Sequence, residues 1–174
     1  GTVKATVPSD YKPSKGESDA PEATLDLEYV YGYRCHDTRN NLRYNKDGDV
    51  VYHTAAVGIT LNAKSNTQKF FINHTDDIVA FDVWGDWVVT GQLGKKPLVC
   101  VWDSVSMESL VTFVGELQNS ITHVCFSPDG KKIAAIANDP DHTIAIYNLE
   151  KFMNPNYNRA KAKTDGSIIL GKGP

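Results

Sequence analysis

The sequence predicts an all-β chain made of repeated four-stranded sheets, and three observations predict it. Two stretches align without a gap at an offset of 45 residues: Phe81 falls on Phe126, Gly85 on Gly130, Val88 on Ile133, Val101 on Ile146, Trp102 on Tyr147 and Asp103 on Asn148. A shorter copy, Asp47 to Asn62, precedes them and ends in Leu61-Asn62 where the next ends in Trp102-Asp103, 41 residues on. No stretch carries helical periodicity, while short apolar or alternating runs are separated by Asp-Gly, Gly-Asp and Pro-Asp-Gly turns. A self-match at about 40–45 residues ending in Trp-Asp or its relatives is the signature of WD-type β-propeller blades.

The elements follow in order. Residues 1–24 are polar, with Pro8, Pro13 and Pro21 spaced among charged residues. Such a stretch buries too little apolar area to offset its ordering entropy and is expected as a flexible or extended tail. Leu25 to Tyr33 alternates and then turns aromatic, which predicts a strand with Tyr29, Tyr31 and Tyr33 on one face. After a polar cluster, Arg34 to Asn41, short strands are expected over 42–44, 50–54 and 57–61, the last two forming a tight hairpin, and over 68–72. The second copy predicts strands at 77–83, 87–90, 98–103 and 109–114, with 87–90 apolar on both faces as a mid-blade strand requires. The third predicts strands either side of the Ser127 to Gly130 turn, another at 143–148 and a fourth at 167–170.

The expected organisation is a tail at 1–24, a motif and first blade at 25–72, a second blade at 73–114, and a third at 115–174 with a basic insertion at 151–166. A propeller closes with about four to eight blades. Three of them are therefore expected to be a truncated part of a longer propeller protein or, alternatively, to be completed by another chain.

Composition narrows the function classes. The net charge of −3 argues against nucleic acid as the main partner. The charge is uneven: Lys151 to Pro174 carries +4, so residues 1–150 carry −7. Three cysteines without a CxxC pair suggest neither a disulfide framework nor zinc, and Cys100 and Cys125 lie in apolar patterns expected to bury them. No apolar run reaches the roughly 18–20 residues of a membrane span, and no signal-peptide pattern opens the chain, so a cytoplasmic protein without membrane contact is expected. The histidines, His36, His53, His74, His123 and His142, are scattered without ligand spacing. Gly91 to Lys96 is too short for a phosphate loop and joins two strands. No nucleophile–base or paired-carboxylate constellation stands out. A non-enzymatic protein with no cofactor and no metal is expected.

The segment 25–62 carries the most specific local signal: Glu28, Val30, Tyr31, Gly32, Tyr33, Arg34, Asp37, Arg39, Asn40, Asn41 and Leu42, continued by Gly48, Val51-Tyr52 and Ala55-Ala56-Val57. This pattern resembles the HELP motif of the echinoderm microtubule-associated protein-like family, and the resemblance runs on over about residues 25–150 into the WD-type blades. Cys35 departs from it, standing where the family usually has Gly, as does Thr38, where it often has Cys. If that Gly has positive φ, Cys35 would strain the loop. Within the motif, Arg34, Asp37 and Arg39 are expected to form a charge-paired knot, with Asn40 and Asn41 satisfying turn backbone. The motif then packs against its own propeller or, alternatively, contacts a partner.

His74, Thr90 and Trp102 match three places of the hydrogen-bond network that ties WD blades together. The usual Asp of the intervening turn is missing from residues 91–97. The resemblance implies a microtubule-associated scaffold in the cytoplasm and cytoskeleton, and in the ciliary axoneme as a narrower location. Its implied partners are tubulin or microtubules and other axonemal or cytoskeletal proteins. Lys151, Arg159, Lys161 and Lys163 of the insertion suit contact with an acidic partner. The alternative is a WD-repeat adaptor or structural component of an axonemal or signalling assembly without direct tubulin contact.

Overall fold

In a computed structural model the described residues are 6–12, 14, 23–154, 157 and 169–171. They form three four-stranded antiparallel sheets. The first holds β1 (Leu42–Tyr44), β2 (Val50–Thr54), β3 (Val57–Asn62) and β4 (Thr67–Phe71). The second holds β5 (Ile78–Trp84), β6 (Trp87–Gln92), β7 (Val99–Asp103) and β8 (Ser109–Phe113). The third holds β9 (Ile121–Phe126), β10 (Lys132–Ala137), β11 (Ile144–Asn148) and β12 (Ile169–Gly171). In every sheet the strands neighbour one another in chain order. This is the meander of WD-type blades, three of an incomplete β-propeller. Among the described residues the helical structure is one 3-10 turn, Glu150–Met153.

The strand period of two sorts each central strand between two cores. Val88 of β6 joins Val51, Phe71, Phe81, Cys100 and Trp102 between the first and second sheets. Val89, its neighbour, joins Val99, Val101, Phe113, Ile133 and Tyr147 between the second and third. A mid-blade strand is therefore apolar on both faces because both are covered.

The two seams repeat one aromatic contact. Phe71 at the end of β4 stacks on Trp102 of β7 with ring centroids 4.7 Å apart and planes 4° from parallel. Phe113 at the end of β8 stacks on Tyr147 of β11 at 4.1 Å and 22°. The close approach at the first seam needs Gly58, where an added Cβ would lie 2.7 Å from the Trp102 ring.

Three expectations are corrected. Residues 25–33 form no strand: the segment lies over the outer face of the first sheet and there meets a side chain instead of a backbone ladder. Tyr29 and Tyr31 still meet, with centroids 4.9 Å apart, while Tyr31 and Tyr33 are exposed. Cys100 is buried as expected, and burial pushes its thiol up to about 11, but Cys125 is exposed. The reason is that β9 ends its sheet, and the face opposite Val124 and Phe126 carries His123 and Cys125 outward. Finally, Cys35 has no positive φ; in the motif the left-handed positions are Gly32 (86°) and Asn40 (54°). Substituting the family's Gly at residue 35 therefore costs no left-handed strain. No helix among the described residues is long and apolar enough to cross a membrane.

Candidate functional site

The motif loop is organised around Arg34. Its backbone N–H donates to the His53 carbonyl at 3.3 Å, and its own carbonyl accepts from Thr38 Oγ1 at 3.0 Å and from Asn41 Nδ2. The guanidinium grips Asp37 through two bonds, Nε to Oδ1 at 2.7 Å and Nη2 to Oδ2 at 2.6 Å. Its remaining nitrogen, Nη1, reaches Asp77 Oδ2 at 2.5 Å. Asp77 belongs to the connection between the first two blades, and its carbonyl accepts from Leu93 N–H at 2.9 Å. One side chain thus staples the motif to the seam between two sheets. The Arg34 hydrogen bonds hold the Asp37 carboxyl below the usual carboxylate range.

Arg39 was expected in this knot and is not in it. Arg34 holds both oxygens of Asp37, His36 Nε2 lies 3.3 Å from its Oδ1, and Arg39 Nη1 instead donates to the carbonyls of Cys35 at 3.3 Å and Thr38 at 3.0 Å. Asn40 takes the left-handed corner, and its carbonyl accepts from Arg43 Nη1 at 3.1 Å. Asn41 closes the loop through Arg34 and Thr38. Asp77, the partner the sequence reading missed, lies 43 residues from Arg34 and carries no local signal.

Arg34→Met is expected to cost about 2 kcal/mol, less than a fully buried pair because both carboxylates are nearly half exposed. Chemical denaturation reads it. Arg34→Lys should recover little, because an ammonium cannot make the fork; full recovery would contradict the bidentate staple.

Tyr31, Gly32 and Tyr33 belong to the extended stretch before the loop. A glutamine holds that stretch where a ladder was expected: Gln68 Oε1 accepts from Val30 N–H at 2.7 Å, and Gln68 Nε2 donates to the Val30 carbonyl at 3.0 Å. The amide imitates one rung of a strand. Tyr29 Oη adds a bond to Asn66 Oδ1 at 2.8 Å. Between this stretch and the outer face of the first sheet lies an open cleft of about 330 Å³, lined by Tyr29, Tyr31, Tyr33, Leu42, Val50 and Leu61 among others.

His74, Thr90 and Trp102 meet. His74 Nε2 lies 2.6 Å from Thr90 Oγ1, and Trp102 Nε1 donates to the same oxygen at 3.2 Å. The place of the missing Asp is taken by Gln92, which is buried. Its Oε1 accepts from Thr75 N–H at 3.2 Å and lies 2.8 Å from His74 Nδ1. Because that oxygen is an acceptor for Thr75, His74 carries its proton on Nδ1 and accepts from Thr90 at Nε2. Every link is then satisfied with a neutral ring, and burial holds the His74 pKa below its ordinary value. The signal for Gln92 was available: it stands two residues after Thr90 on one strand, hence on the same face.

Of the basic residues, Lys151 sits in the 3-10 turn with Nζ 5.3 Å from the Phe152 ring centroid. Arg159, Lys161 and Lys163 lie outside the described residues. Among the described residues no group of three or more His, Cys, Asp or Glu is placed to hold a metal ion.

Comparison with known proteins places these features. The HELP motif family matches residues 20–59. The chain is 38% identical over 159 residues to the ciliary WD repeat-containing protein ctxp80 of Euplotoides octocarinatus, covering 80% of this chain and 22% of that protein. It is 32% identical over 150 residues to echinoderm microtubule-associated protein-like 1 of Mus musculus, covering 79% of this chain and 18% of that protein. With echinoderm microtubule-associated protein-like 2 of Rattus norvegicus the identity is 33% over 165 residues, 86% of this chain and 25% of that protein. The matches cover only about a fifth to a quarter of each relative's length.

Proposed function

The chain belongs to the echinoderm microtubule-associated protein-like family, carrying its HELP motif and WD-type blades, and on that premise we propose that it is a non-enzymatic scaffold that binds tubulin or microtubules. The observation that carries the reading is the similarity itself, which spans motif and blades together in relatives named for microtubule association. The geometry supports it: rigid sheets present their connecting loops as fixed contact surfaces, and the Arg34 staple fixes the motif to them. The basic residues Lys151, Arg159, Lys161 and Lys163 suit an acidic protein surface. In this reading the protein works in the cytoplasm on the cytoskeleton, with other cytoskeletal proteins as further partners and neither nucleic acid nor membrane among them.

A second reading, a structural component of a ciliary axoneme or a signalling assembly without direct tubulin contact, is favoured by the ciliary relative at 38% identity. Pull-down with purified tubulin separates the two. Neutralising Arg159, Lys161 and Lys163 together is expected to weaken co-sedimentation with microtubules at low salt and to flatten its salt dependence. Binding that stays unchanged across a salt series would remove the insertion from the interface.

A further inference from the structure

A groove of about 400 Å³ runs past the motif loop, β5 and the exposed face of β9. Its charged lining is Asp37, Arg39, Arg43, Asp82 and His123. The two carboxylates are already engaged: Asp37 by Arg34, and Asp82 by the Phe126 N–H at 2.9 Å with Arg43 Nε at 3.7 Å. Among the described residues both arginines rest on backbone carbonyls, Arg39 through these alone and Arg43 with Asp82 besides. Arg39 Nη1 rests on the carbonyls of Cys35 and Thr38, and Arg43 Nη1 on those of Asn40 and Leu42. Among the described residues no carboxylate lies within ion-pair distance of Arg39. The groove therefore keeps one guanidinium, that of Arg39, outside any ion pair among the described residues, with Arg43 beside it. Strands β1, β5 and β9 each end their sheet, so one side of each carries backbone groups outside any ladder.

We propose that this groove binds an extended acidic peptide segment, with a glutamate or aspartate carboxylate engaging Arg39 and Arg43 and the peptide backbone meeting a strand edge. It rests on the reading of the chain as a binder of an acidic cytoskeletal partner and names the site. An unpaired guanidinium suits a single carboxylate, whereas a phosphate dianion would stand against Asp37 and Asp82.

The test is fluorescence anisotropy of a labelled hexaglutamate peptide with the chain at low salt, alongside a hexalysine peptide and a phosphoserine peptide. The expected result is that hexaglutamate binds and the other two peptides do not, and that Arg39→Gln weakens the binding about tenfold, in keeping with loss of a charge-assisted bond, whether or not Arg159, Lys161 and Lys163 are neutralised as well. Arg39 is exposed, and an unchanged melting curve verifies that the variant folds. No hexaglutamate binding by the wild type, or equal binding by Arg39→Gln, overturns the groove. Preference for the phosphoserine peptide overturns the carboxylate choice. Hexaglutamate binding without any tubulin pull-down would instead sink the functional reading and leave the groove standing.

Discussion

Trp102→Ala is expected to lower the stability of the chain by about 3–5 kcal/mol, the range for truncating a large buried aromatic. Three losses coincide at this residue, which has no exposed surface. The indole leaves the Phe71 ring with no partner to stack on, opens a cavity over Gly58, and takes away the donor that Thr90 Oγ1 accepts from. The first of these acts between blades, so the seam between the first two sheets should loosen before either sheet melts. Trp102→Phe separates the contributions. It keeps the stack and removes the indole N–H, and should cost only about 1 kcal/mol of hydrogen bonding plus a little volume. Denaturant titrations of both variants read the difference. Equal losses would mean that the hydrogen bond, not ring stacking, holds the seam.

Stability should also fall as pH drops from about 6.5 to about 4, and His53 is the cause. The residue is buried on β2, neither ring nitrogen has a hydrogen-bond partner among the described residues, and Phe81 meets the ring edge-on at 5.4 Å. Burial, with lesser contributions from Arg34 and His74 and an opposing one from Asp37, pushes its pKa from 6.5 down to about 4. The unfolded chain then takes up a proton that the folded chain refuses. The contribution of neutral His53 is complete above pH 6.5 and is lost progressively toward pH 4, at about 1.4 kcal/mol per unit in the steepest part and on the order of 3 kcal/mol in all. His53→Leu should flatten this slope. At pH 7 it should add about 1 kcal/mol, because two unpartnered nitrogens leave the interior. The depressed carboxyls of Asp37, Asp129, Asp139 and Glu150 act at lower pH and, like His74, are common to both proteins. The difference between wild type and variant therefore isolates His53. A difference independent of pH would remove His53 from the account.

Much of the architecture was legible before any coordinates. Strand periodicity, the turn residues and the 45-residue self-match describe interactions within a blade, where partners lie a few residues apart across a hairpin. They account for the strands β1 to β11 within a residue or two. The stretch 25–33 misled because alternation reports that a segment can be a strand, not that a free edge awaits it. The stretch lies over the face of the first sheet, where the Gln68 side chain serves it instead of a strand edge. Cys125 misled for the mirrored reason: its apolar neighbours face a core while its own side of β9 faces outward.

The candidate site divides in the same way. The residues carry the resemblance to a HELP motif joined to a WD-type array, and with it the expectation that His74, Thr90 and Trp102 share a network, because such a resemblance is read from order along the chain. Only the stacking of sheet on sheet decided that Arg34 takes Asp77, and that Phe71 and Phe113 each cap the next blade's aromatic. Those pairings lie across seams between repeats. A repeat's own pattern reports which face is apolar, whereas the partner of that face is set by how neighbouring sheets rotate and pack against one another.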